Sequence, residues 1–178
     1  MNKKTLWITE TAVMIALLVA LQWATKPLGQ FVTGSCVNLV LGVSVLVGGL
    51  WCGLTVALVS PFFAFLLGIG PAFLPMVPCV SLGNAVYALL FGLFVGKYLK
   101  EKKPAAAYVS MALAAAAKFV TLLVVLVRLV APHVVPEAKL SVVTASFTWP
   151  QLLTAVIGGI IACLIAPTLR RALEKKNG

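Results

Sequence analysis

The sequence predicts an all-α integral membrane protein of six transmembrane helices with both termini on the cytoplasmic side. Three observations carry this. Of 178 residues, 62% are hydrophobic and 10% are charged. A soluble domain is about 45–50% apolar and about a quarter charged, so this chain lacks the polar residues to cover a water-facing core. No charged residue lies between Lys26 and Lys97, a stretch long enough for three crossings of about 20 residues each. Finally, ten of the 14 Lys and Arg fall where six crossings bring them to one side.

The spans follow in order. The first covers about residues 6–25 and ends at Lys26-Pro27. Turn signals at Gly48-Gly49…Gly53 and at Gly68-Ile69-Gly70-Pro71…Pro75…Pro78 divide the uncharged stretch. The second, third and fourth spans are thus about 35–50, 53–69 and 78–97. The fifth follows Pro104 and covers about 105–130. The sixth opens at Thr148-Trp149-Pro150-Gln151, with Thr as N-cap, Pro in the first turn and Gln closing a capping box, and covers about 149–169. The chain reads as one six-helix unit over 1–178.

Charge sets the orientation. Lys3, Lys4, Lys97, Lys100, Lys102, Lys103, Arg170, Arg171, Lys175 and Lys176 share one side, against Lys26, Lys139 and Arg128 on the other. The positive-inside rule makes the first side cytoplasmic. The N-terminal apolar stretch is too long for a cleavable signal. The net charge of +10 is therefore mostly topology. Nucleic acid is a poor partner for basic residues in short loops without interleaved aromatics.

Composition excludes much chemistry. The chain has no Asp, four Glu and one His, His133, in an outer loop. Metal clusters, paired carboxylates and a Ser/His/Asp triad lack their residues, so no catalytic residue, metal site or cofactor is expected. Cys36, Cys52, Cys79 and Cys163 show no CxxC spacing and read as small apolar packing. No GxxxxGK[ST] occurs.

Two features remain. Ala12, Ala16, Ala20 and Ala24 recur every four residues and so share one face of the first helix. Small residues at that spacing admit another helix closely, either within this bundle or from a separate subunit. Gly49/Gly53 and Gly92/Gly96 repeat the spacing and read as internal packing, while Glu10 either reaches back towards Lys3 and Lys4 or meets a partner. The second feature is Lys118, an ionisable group within the fifth span. Such a group is costly and marks function by default. It lies about 21 Å from the inner end at ~1.5 Å per residue, in the outer half. Gln22, Asn38, Asn84 and Gln151 fall near the same depth on four other helices. Each alone suits a helix–helix hydrogen bond; together with Lys118 they outline an outward-opening pocket for a small molecule. No acid lies near Lys118, so an anionic ligand is favoured. Arg128 either steers anions or anchors at the interface. Trp149, Trp23 and Tyr87 either stack on a ring or belong to the aromatic belt. Segments Lys26–Gly34 and Gly68–Pro78 are candidate lids.

With the six spans, the basic N-terminus, Ala12/Ala16/Ala20 and Gly83-Asn84, the chain resembles the substrate-binding S components of energy-coupling factor (ECF) vitamin transporters over nearly its whole length. That resemblance implies a multi-pass protein of the bacterial plasma membrane. It implies capture of a vitamin-like micronutrient near the outer face, and docking through the alanine face onto a transmembrane coupling subunit joined to two cytoplasmic ATPases. It implies no catalysis, and the absent ATP motif fits that division of labour. The alternative is a membrane scaffold of similar topology without a ligand. A membrane enzyme lacks its residues, and a proton-coupled transporter lacks a membrane carboxylate other than Glu10.

Overall fold

Inside lipid every backbone donor and acceptor must be satisfied by the segment itself, which leaves helices as the economical solution for a chain this apolar. The computed structural model describes residues 2–177 and is helical between short turns, with no strand among the described residues. Met1 and Gly178 lie outside the described residues, as do the side chains of Lys3 and of 173–177, including Lys175 and Lys176 of the basic cluster. The helices are α1 (Lys3–Thr25), α2 (Gln30–Gly48), α3 (Leu50–Leu66), α4 (Met76–Lys100), α5 (Pro104–Val134), α6 (Glu137–Ser146) and α7 (Trp149–Asn177). Wider π-helical turns interrupt α4 at Phe91–Val95 and α5 at Leu122–Val130.

Five stretches are long and apolar enough to cross a membrane: α1, α2, α4, α5 and the run from α6 into α7. The sixth expected crossing, α3, has 17 residues, about 25 Å at ~1.5 Å each, against a hydrocarbon core of about 30 Å. The molecule is a multi-pass membrane protein.

Several boundaries differ from expectation. The second helix begins at Gln30 rather than near 35, because the turn is taken by Gly29 at φ +86°, directly after a 3-10 turn at Lys26–Leu28. The third begins at Leu50, because Gly49 at φ +89° makes the break that the sequence spread over Gly48…Gly53. Thus residues 30–34 of one candidate lid are helical, and the other shortens to the turn before Met76. Helix α6 lies where only a loop was expected. Its β-branched run Val142-Val143-Thr144 weakens the helical signal. Helix α7 starts at Trp149 as expected, without the capping box: Thr148 Oγ1 donates to Ala145 O at 2.8 Å and Gln151 Nε2 to Ser146 O at 3.2 Å. The end of α6 supplies carbonyls that a loop would not have offered.

Helix α2 occupies the centre and packs against α7, α1 and α3. Its crossing with α7 is tight because a Cβ on Gly158 would stand 2.6 Å from Leu39 N. The main core gathers Leu18, Leu41, Val56, Tyr87, Phe91 and Met111, and a second cluster joins Met76, Cys79, Leu122 and Leu126. Alternating helix directions give the bundle two ends. The terminal end holds the start of α1, the α2–α3 and α4–α5 turns and the end of α7. The distal end holds the α1–α2 and α3–α4 turns, α6 and the start of α7.

The alanine stripe faces outward. Ala12, Ala16, Ala20 and Ala24 are all exposed, while Thr11 and Leu18 on the opposite face are buried. Packing within this bundle is therefore not their role. Gly53 and Gly92 do lie inside: a Cβ on either would collide with Val45.

Candidate ligand-binding site

At the distal end a cavity of about 300 Å³ opens between α1, α2, α3, α4, α5, α6 and the start of α7. That is the lower end of the range for small-molecule sites, about 300–1,000 Å³. The sequence explains why the helices converge there. Gly83 leaves Leu122 of α5 only 2.8 Å from the position a Cβ would take, so α4 and α5 approach closely. Asn84, the next residue, then faces the same space as Lys118.

Five of the expected residues line this cavity: Gln22, Asn38, Asn84, Lys118 and Gln151. Lys118 is 2% exposed, and its Nζ donates to Asn38 Oδ1 at 2.7 Å. Asn38 is itself fixed, because its Nδ2 donates to Gly34 O at 2.8 Å and to Thr154 Oγ1 at 3.4 Å. Its carbonyl oxygen is thereby turned towards the lysine. The Lys118 ammonium also stands 5.7 Å from the Tyr87 ring centroid, within cation–π range. No residue lining the cavity is acidic. A buried charge without a counter-charge is expensive, and this one has an amide and a ring for company.

Two further polar atoms are buried without any hydrogen-bond partner: Asn84 Oδ1 and Ser60 Oγ. Both residues line the cavity. An unsatisfied buried polar group costs about 1–3 kcal/mol, so each is a place where a bound molecule gains by supplying a partner. Gln22 has a different job. Its Nε2 donates to Ile69 O at 3.2 Å, and Lys26 Nζ donates to Gly68 O at 2.8 Å. These two bonds hold the α3–α4 turn against the end of α1, where Ile69 to Ala72 form part of the cavity wall.

Three expected residues lie elsewhere. Tyr87 is fully buried beneath the cavity, with its hydroxyl donating to Ala155 O at 3.3 Å. It supports Lys118 from below and offers no ring face to the cavity. Trp149 is 60% exposed and packs on Phe31 at 5.4 Å between centroids, as an interfacial aromatic would. Arg128 is exposed and does not line the cavity. The helical count of 100° per residue does not hold through the π-helical Leu122–Val130. Sequence reasoning missed Ser60, Thr33, the α6 residues Val142, Val143 and Ser146, and Phe147 just beyond them. A serine beside Pro61 in a helix whose only other hydroxyl is Thr55 was the available signal for the first.

The arrangement has the makings of a binding site. It has one cation, several amides and hydroxyls and apolar walls, and among the described residues no group of three His, Cys, Asp or Glu stands together to hold a metal. In comparison with known proteins, a family model described as "ECF transporter, substrate-specific component" matches residues 7–170. No curated protein and no solved structure matches.

Proposed function

The chain belongs to the substrate-specific components of ECF transporters, a transport family, and from that premise we propose that it captures a small anionic, vitamin-like micronutrient. It acts as the binding subunit of an ABC importer in the bacterial plasma membrane. Its cargo enters the distal cavity from outside and passes inward with the help of a coupling subunit and two cytoplasmic ATPases. This reading takes 1–178 as one six-span unit, α3 included, with both termini cytoplasmic, as the basic cluster at the terminal end favours.

The observation that carries the ligand's charge is Lys118, which lines the cavity 2% exposed and bonds Asn38 Oδ1 at 2.7 Å, with no acid in the wall. The ligand supplies the missing negative charge, as a carboxylate or a phosphate. Ammonium–anion hydrogen bonds are about twice as strong as neutral ones. Asn84 Oδ1 and Ser60 Oγ, both without partners, add a second requirement: the ligand also carries an N–H or O–H donor. Asn84 is an acceptor there, and Ser60 takes either sense. The outward-facing Ala12, Ala16 and Ala20 supply a small-residue face for the coupling subunit.

Mass spectrometry of small molecules released from mildly purified protein tests this. A single acidic micronutrient with a donor group is the expected result. A neutral or cationic molecule keeps the transport role and discards the charge argument. An empty protein that also captures no coupling subunit favours the scaffold alternative.

A further inference from the structure

A second and larger hollow, about 770 Å³, opens at the terminal end, far from the cavity described above. It is bounded by the end of α2, the second half of α4 and the end of α7. Its floor is apolar and closed: Val45 and Ala166 are buried, Gly92 is packed against Val45 and Leu50, and Gly96 leaves space that a side chain would fill. Its rim is basic. Lys97, Lys100, Arg170 and Arg171 line it, all exposed, with Glu101 as the single acid.

The position narrows the occupant. The α2–α3 and α4–α5 turns meet at this end, so the rim lies where helices leave the hydrocarbon and the floor lies just within it. A water-soluble anion would match the rim and gain nothing from the floor. An apolar helix would match the floor and offer nothing to the basic rim. An anionic phospholipid matches both, with its phosphate among the cations and the start of its acyl chain along Val45, Gly92 and Leu93. Basic pockets between transmembrane helices bind acidic lipid headgroups by the same physics, and Arg adds planar, paired donors suited to phosphate.

We propose that the groove between α2, α4 and α7 is a binding site for one anionic phospholipid of the adjoining leaflet. It is separate from the distal cavity and does not depend on what that cavity binds.

Native mass spectrometry of the purified full chain in detergent tests this, with phosphatidylglycerol and phosphatidylcholine as probes. The wild type retains one phosphatidylglycerol at least tenfold more than phosphatidylcholine. Lys97→Gln with Lys100→Gln reduces that retention severalfold. Gly96→Leu does the same with every charge kept, since it fills the groove at a position whose Cβ would find its nearest side chain, Leu46, at 3.6 Å. The control, Lys4→Gln with Lys102→Gln, removes the same charge from the same end, outside the groove lining, and retains the lipid. Equal retention of the two lipids overturns the proposal. So does equal loss in the control, which would mean charge attraction alone, and so does full retention in Gly96→Leu. Thermal melting of each variant separates a lost site from a lost fold.

Discussion

At the distal end one cation, Lys118, is 2% exposed and has an amide oxygen 2.7 Å away. At the terminal end Lys97, Lys100, Arg170 and Arg171 stand exposed around a wider groove. The sign of charge is the same and the chemistry differs, because burial sets what a charge is worth. Exposed cations stay hydrated and screened, contributing about 1 kcal/mol each against an acidic lipid. The buried ammonium has shed its water, so it depends on Asn38, on Tyr87 and on whatever enters the cavity. As proposed, one end takes a small soluble molecule and the other a lipid headgroup.

The sharpest way to break this contrast is Lys118→Ala. Affinity for an acidic ligand should fall tenfold or more, read by calorimetric titration or by the ligand retained on purification. Unchanged affinity would remove Lys118 from the site. Next in size is Ala16→Leu, on the outward stripe that belongs to neither end. Capture of a coupling subunit should drop severalfold, with ligand affinity at the distal cavity unaltered. Equal capture would leave that face to lipid. Smaller again is Asn84→Leu. It removes the unpartnered Oδ1, and a lost hydrogen bond of about 1 kcal/mol predicts roughly fivefold weaker binding of a donor-bearing ligand. If binding strengthens instead, the ligand brings no donor to that point.

The smallest effect is expected at the terminal end. Lys103 Nζ donates to Glu101 at 2.9 Å, a bond that holds the Glu101 carboxyl below its usual range and raises the Lys103 ammonium. Because the carboxyl is lowered in the folded protein, whatever the pair contributes is present at neutral pH and lost as pH falls through that lowered value. The pair is exposed, and such pairs contribute little. Glu101→Gln should therefore leave the melting temperature and ligand affinity unchanged. A shift of several degrees would show that exposed charge at this end carries more than the comparison allows.

The helical class and most spans were legible because lipid demands uninterrupted apolar stretches, and the charges mark where these end. Lys118 and the four amides were legible for the same reason, since a polar group stands out against such a background. Ser60 did not stand out, because a lone hydroxyl satisfies itself easily in many helices. Helix α6 was hidden by its β-branched run. Tyr87 and Arg128 do not line the cavity: which helices cross sets the place of the first and a π-helical segment that of the second, and a regular helical count sees neither.

By itself, then, the sequence determined a basic, apolar, helical membrane chain and the depth at which its polar groups gather. Those properties depend on composition and on distance along a helix, both of which are local. Only the tertiary structure decided that the alanine stripe faces outward, that Asn38 rather than an acid meets Lys118, and that Tyr87 supports the lysine from below. It also decided that a second groove opens at the terminal end. Each of these depends on which faces of distant helices are pressed together, through close approaches such as Gly83 to Leu122 and Gly158 to Leu39. Such contacts are set by packing across the whole bundle.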